Sequence, residues 1–192
     1  MKAIDASYVA GFLDGDGSIH FQLVKQKEYR FGFYIRSTVS FSQSTSSRRV
    51  LEEIQQLVGA GYLRDRQTGM SDLVITSRPA VFDLLTEVRP YVRAKREHVR
   101  RALLLLPLLG GVKDGCTFLQ LARVVDAFST LNYSKTKRIS AVDVERHLRS
   151  MGVLCPRNDF LASYSEEMAS LGSIQGPWTP TEAITRQPLE IG

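Results

Sequence analysis

Tyr8-Val9-Ala10-Gly11-Phe12-Leu13-Asp14-Gly15-Asp16-Gly17-Ser18 is the stretch on which the reading of this chain turns. Ser7 to Leu13 reads as a short apolar helix with Ser7 as its cap, followed at once by an Asp-Gly-Asp-Gly turn. Carboxylates at a helix C-terminus, where the macrodipole already presents partial negative charge, require a cation. Ala10 and Gly11 are small enough to admit a second helix at close range. With one such helix per chain, that partner has to be a second copy. Two carboxylate turns meeting about a two-fold axis would supply the paired oxygen ligands that Mg²⁺ prefers. Tyr8, Ala10, Gly11, Leu13 and Asp14 are therefore the expected interface residues. The plain alternative is an ordinary helix ending in an Asp-Gly turn.

Beyond the motif, Ile19, Phe21 and Leu23 alternate with polar residues from Ser18 to Gln26, and Phe33, Ile35, Val39 and Phe41 do so from Phe33 to Gln43. This period-two pattern predicts two half-exposed strands. Ser47 to Val58 has helical spacing and a Gly59 stop, Tyr62 to Arg66 and Asp72 to Thr76 read as a second strand pair, and Pro79 opens a helix to about Arg89. Three more helices are expected, Tyr91 to Leu106, Thr117 to Leu131, and Ser140 to Met151 with a Ser140/Asp143 capping pattern. The fold class is α+β, in the order αββαββα followed by further helices. After Gly152 the periodicity fades, so residues 1–154 are expected as one domain and 155–192 as a loosely ordered tail.

At 192 residues and 43% hydrophobic, the chain is long enough for one substantial core. Its longest apolar run, around Ala102 to Leu106, is far below a membrane span, and its start lacks the pattern of a secretory signal, so an intracellular protein with no membrane partner is expected. Cys116 and Cys155 have no metal spacing, and His20, His98 and His147 are scattered, so no zinc site is expected. Nucleotide and nicotinamide fingerprints are lacking, which predicts no small-molecule cofactor. The charge is uneven, because 156–192 hold two basic against five acidic residues while 1–155 carry a net +8. A basic body of this kind attracts polyanions.

The motif resembles the signature of the LAGLIDADG homing endonucleases. Three further islands, Gly59 to Arg66, Pro90 to Lys95 and Leu131 to Lys137, look like the corresponding segments of the single-motif, homodimeric algal chloroplast enzymes of that family. The resemblance implies a saddle-shaped homodimer that cuts both strands of a long pseudo-palindromic double-stranded DNA target, leaves 3′ overhangs and promotes intron mobility. It also implies an organellar setting, chloroplast or mitochondrion. Mg²⁺ is the implied cofactor, roughly two or three ions per dimer shared at the interface. A search for a second motif finds only Leu105 to Gly115, where Pro107 breaks the helix and Lys113 replaces the first acid.

Carried over residue by residue, the resemblance makes Asp16 the metal-binding acid and gives the Gly15 carbonyl a place beside the metal. It makes Gln43 an organiser of ligands or water, and Lys95 a basic group beside the scissile phosphate. The family's arginine aligns with Ser47, and Arg48 stands one place late. From the strand pattern, a ribbon entering the major groove would present Gln22, Val24, Gln26, Tyr34, Arg36, Thr38, Ser40, Arg64, Arg66, Asp72 and Val74, with Tyr29 from the hairpin. Ser134, Lys135 and Arg138 match a family loop that touches backbone phosphates. Two other activities fit the same scaffold, an intron-splicing maturase that binds RNA and a non-cleaving DNA-binding regulator.

Overall fold

A helix that passes into a strand without an intervening loop sets the geometry of this protein. In the computed structural model, which describes residues 1–132 and 139–154, α1 spans Ala3–Asp16 and β1 begins at the next residue, Gly17. The expected Asp-Gly turn is therefore the last turn of the helix. Gly17 permits this junction because a Cβ there would stand 2.7 Å from both Cα and the carbonyl oxygen of Leu13, a contact that backbone cannot relieve. Ser7, expected as the cap, lies inside the helix and donates its hydroxyl to the Ile4 carbonyl at 2.8 Å, while Lys2 takes the cap position.

The strands β1 (Gly17–Lys25), β2 (Phe33–Ser44), β3 (Tyr62–Asp65) and β4 (Met70–Ile75) form one antiparallel sheet in the order β1-β2-β4-β3. Its register pairs Gly17 with Phe41, Gln22 with Arg36, Ser42 with Asp72 and Arg64 with Asp72. Odd-numbered residues such as Ile19, Phe21, Val39, Phe41, Leu73 and Ile75 are buried on one face. There α1, α2 (Arg48–Val58), α3 (Arg78–Val88), α4 (Arg96–Leu108) and α5 (Gly115–Ser129) cover them. Each Leu, Ile or Phe withdrawn from water in this layer contributes roughly 1.5–3 kcal/mol before entropy is charged. The even-numbered face has no helix of that layer on it, as one side of an antiparallel sheet allows.

The order αββαββα is thus as expected, followed by α4, α5 and α6 (Ala141–Ser150). Gly59 ends α2 in the left-handed region at φ 69°, and Ser140 and Asp143 form the expected capping box of α6. Residues 91–95 are not helical, contrary to expectation, and α4 begins only at Arg96. Pro107 does not stop α4 where expected, because it sits in the last turn, next to the final residue Leu108. Among the described residues, no helix is long and apolar enough to cross a membrane. The tail 155–192 and the loop residues Ser134, Lys135 and Arg138 lie outside the described residues.

Candidate functional site

Helix α1 has two apolar faces. Ala6, Val9, Ala10 and Leu13 are buried in the protomer's own core, whereas Ile4 and Tyr8 are 75% and 45% exposed. Gly11 and Gly15 follow on the exposed side, and a Cβ at either would meet nothing within 4 Å. Ala10 and Leu13, expected at a dimer interface, are therefore corrected to core residues, since a helix shows one side to its own sheet and only the other to a partner. Ile4 and Gly15, with Tyr8 and Gly11, make up the outward stripe at i, i+4, i+7 and i+11 spacing. Ile4 is not marked in the sequence, because it precedes Ser7, the residue whose capping propensity points to a later helix start.

Asp14 and Asp16 behave differently, although they are two residues apart. The Asp14 carboxylate accepts hydrogen bonds from the backbone N–H groups of Arg93 (2.6 Å), Ala94 (3.1 Å) and Lys95 (2.9 Å). Its own carbonyl accepts from Lys95 Nζ at 2.7 Å. Asp14 is accordingly an internal clamp, which corrects its expected place at the interface. Asp16, the last residue of α1, is exposed, and its carboxylate has no partner among the described residues. The same helix end leaves the Gly15 carbonyl without an intrahelical amide.

Gln43 and Lys95 come to this helix end by separate routes. Because Gly17 pairs with Phe41, the C-terminus of α1 lies beside Ser42 and Gln43, one to two ladder positions further along β2. The Gln43 Oε1 accepts from the Ser44 N–H at 2.8 Å, which leaves its amide NH₂ to donate elsewhere. Lys95 is the N-cap of α4 and is tied to Asp14 as described. Arg48, the first residue of α2, is engaged elsewhere. Its guanidinium pairs with Asp65 of β3 at 3.1 Å and with Glu52 one turn on. Ser47 is exposed in the short 3-10 turn Thr45–Ser47 before it.

The candidate ligand atoms at the end of α1, the Asp16 carboxylate and the Gly15 carbonyl, are oxygens, which suits a hard cation such as Mg²⁺. No group of three or more His, Cys, Asp or Glu side chains able to hold a metal occurs among the described residues. At the end of α1 one protomer brings together the Asp16 carboxylate, without a partner among the described residues, and the neighbouring Gly15 carbonyl.

On the open sheet face the even-numbered residues Gln22, Val24, Tyr34, Arg36, Ser40, Arg64 and Asp72 share one side by register. Arg36 Nη2 donates to Gln22 Oε1 across the β1–β2 pair at 2.7 Å. Tyr29 stacks on Tyr34 with ring centroids 4.7 Å apart, and Gln26, just beyond β1, closes the hairpin by a backbone bond to Gly32. Thr38 and Val74 are only 5% and 7% exposed, so these two expected reading residues fill the face and do not project from it. Asp72 is corrected more strongly, because its side chain is fully buried. Its carboxylate accepts from Arg64 Nη2 (2.8 Å), Arg66 Nε and Nη2 (both 2.6 Å) and Ser42 Oγ (2.7 Å). Burial alone would raise its pKa, but the bonds from Arg66, Arg64 and Ser42 outweigh burial and hold it below the ordinary carboxylate value. Asp72 therefore aims two arginines. Tyr62, 52% exposed and opposite Val74, belongs to this face although sequence reasoning passed over it, and its even spacing with Arg64 and Arg66 was the available signal.

The family description "LAGLIDADG endonuclease" matches residues 9–92. DNA endonuclease I-CreI of Chlamydomonas reinhardtii is 31% identical over 145 residues, spanning 75% of this chain and 88% of its own length. DNA endonuclease I-CvuI of Chlorella vulgaris is 29% identical over 146 residues, spanning 76% of this chain and 91% of its own. The crystal structure of the homing endonuclease I-CvuI in complex with its target, in the presence of 2 mM Ca, superposes with a TM-score of 0.76 at 27% identity, covering 80% of this chain and 98% of that one. With the motif helix, the antiparallel sheet and the free Asp16 at its edge, these likenesses make the chain a member of the LAGLIDADG endonuclease family.

Proposed function

We propose that this chain is a site-specific homing endonuclease, active as a homodimer on a long pseudo-palindromic DNA duplex, with residues 1–154 as the endonuclease unit. The observation that carries this reading is the outer face of α1, where Ile4, Tyr8, Gly11 and Gly15 form an exposed stripe ending in the Asp16 carboxylate, which has no partner among the described residues. A second α1 packed on that stripe brings two Asp16 side chains together. The two open sheet faces then lie along one duplex, with Arg64 and Arg66 suited to guanine and Gln22 to adenine. The basic body supplies the non-specific attraction to phosphate. Tyr34 and Arg36 extend this surface toward the hairpin and Ser40 toward α1, and Ser134, Lys135 and Arg138, outside the described residues, are assigned phosphate contacts.

Asp16 and the Gly15 carbonyl hold the divalent ion. When bound, Mg²⁺ supplies Lewis-acid stabilisation of charge on the phosphate oxygens and lowers the pKa of water. Gln43 uses its amide to orient the attacking water. Lys95 holds its ammonium against the charge that grows on the scissile phosphate. Arg48 reaches the phosphate only by releasing Asp65 and Glu52, so it is given a smaller part. The setting proposed for the enzyme is an intron-bearing organelle, in keeping with relatives from two green algae.

The test is selection from a randomised duplex library by cleavage in Mg²⁺, with end mapping and sedimentation of the protein. A single long pseudo-palindromic site, staggered double-strand ends and a dimer are expected. Cleavage by a monomer, or cleavage unaffected by EDTA, would overturn the reading.

A further inference from the structure

We infer that Asp14 is a positioning residue for Lys95, acting on the cleavage step and not on DNA binding; this rests on the proposed role of Lys95 at the scissile phosphate. The motif's two acids would then have divided roles, with Asp16 facing the reaction and Asp14 facing the protein. A carboxylate at the last turn of α1 sits at the negative end of the helix dipole, where it is disfavoured unless something offsets it. Here three successive N–H groups, those of Arg93, Ala94 and Lys95, converge on it at 2.6–3.1 Å. Such a run of amides on one anion fixes the backbone of the turn leading into α4.

The clamp closes on the side chain too. Lys95 Nζ donates to the main-chain carbonyl of Asp14 at 2.7 Å, an acceptor that any residue there keeps, so the carboxylate acts on the ammonium by fixing the Lys95 backbone within reach of that carbonyl. Asp14 lies two positions from Asp16. Helix α1 otherwise packs chiefly on α3, β1 and β2, so its hold on the start of α4 runs through Asp14. Lys is a point charge on a flexible four-carbon stem, and without such a tether its ammonium wanders over several ångströms. Residues 93–95 stay outside α4 for the same reason, because their N–H groups point at Asp14, while those of Tyr91 and Val92 return to the Val88 carbonyl. The separation of roles also accounts for a motif that contains two acids although, among the described residues, only the second of them is without a partner.

The experiment is a double-mutant cycle on the duplex obtained by selection, comparing parent, Lys95→Ala, Asp14→Ala, Asp14→Asn and both alanine changes together. Single-turnover cleavage at saturating protein and gel-shift affinity are read for each, with a thermal melt to verify folding. Misplacing a reacting group by about 1 Å costs on the order of 100-fold. Asp14→Ala is therefore expected to slow cleavage ~10–100-fold with affinity changed less than about threefold. In the Lys95→Ala background the same change is expected to cost less than about threefold, because the group it positions is gone. Asp14→Asn keeps one carbonyl acceptor and is expected to fall between; it carries the test if Asp14→Ala does not fold. Parent-rate cleavage by the folded Asp14 variants, or the same loss with and without Lys95, would overturn the inference. If Lys95→Ala itself cuts at the parental rate, the proposed role of Lys95 fails, and this inference fails with it.

Discussion

Asp72→Asn is the substitution whose consequences the structure lets one work out most fully. The side chain is fully buried and keeps its shape in the variant, so the change removes charge and one acceptor but no volume. Turned one way, the amide oxygen still accepts from Arg64 Nη2 and Arg66 Nε, while the new NH₂ faces Arg66 Nη2 where 2.6 Å now separates two donors. Ser42 can rotate its hydroxyl to accept, so that bond is kept. One charge-assisted bond lost costs about 1.5–3 kcal/mol. The three that survive, with Arg64 Nη2, Arg66 Nε and Ser42 Oγ, drop toward neutral strength. Arg64 and Arg66 are themselves about half-exposed (55% and 47%) and recover hydration, which keeps the total below that of a wholly buried pair. The expected cost is about 2–4 kcal/mol. For a chain of this length that corresponds to roughly 5–15 °C in Tm. The sign with pH follows from a carboxylate held below its ordinary value of 3.8 in the fold. Its contribution is fully present above that value and is lost as pH falls through the lower folded pKa. Urea unfolding of both proteins from pH 7 to pH 2 should therefore show a gap that is constant down to about pH 4 and then closes. On DNA, if Arg64 and Arg66 read guanine as proposed, that preference should relax by ~1–3 kcal/mol. A variant as stable as its parent at pH 7, or a gap unchanged at pH 2, would refute the reasoning.

Gly17→Ala should destabilise the fold by ~2–3 kcal/mol in thermal melts, because its Cβ meets the Leu13 backbone at 2.7 Å. Gly11→Leu has open space within the protomer, so it should leave the monomer's fold intact by circular dichroism while sedimentation shows loss of the dimer. Glu97 is held down to about 2, first by its hydrogen bond from Arg100 and then by Arg101, with burial opposing. Glu97→Gln should therefore be less stable at neutral pH by ~1 kcal/mol, discounted because the carboxylate is 42% exposed, with the difference fading as acid titration approaches pH 2.

The sheet was legible because its two faces differ chemically. Alternation in β1 and β2 reported the burial of Ile19, Phe21, Leu23, Phe33, Val39 and Phe41, whereas Thr38 is buried from the other face and Ile35 only partly buried. The end of α1 was not legible, because Asp-Gly-Asp-Gly carries turn propensity and only the close approach of Gly17 to Leu13 shows that the helix runs on. The two faces of α1 were also hidden, since both are apolar and no periodicity separates Ala10 and Leu13 from Tyr8 and Gly11. Asp14 and Asp72 escaped for a common reason. Each is satisfied by partners distant in sequence or across strands, and a carboxylate reads the same in sequence whether it will bind a cation, a duplex or its own chain. Residues 91–95 looked helical from composition alone, and the tertiary bonds to Asp14 overrode that preference.

The most direct measurement on the central claim is single-turnover cleavage of the selected duplex by Asp16→Asn in Mg²⁺, beside its gel-shift affinity. Asp16 is exposed and free of partners among the described residues, so the substitution should leave folding and the reading face unchanged. The expected result is specific binding at or above parental affinity, since two carboxylates no longer oppose the phosphates, with no cleavage of either strand. A variant that binds and still cuts at near the parental rate would contradict the assignment of the shared, Asp16-centred site.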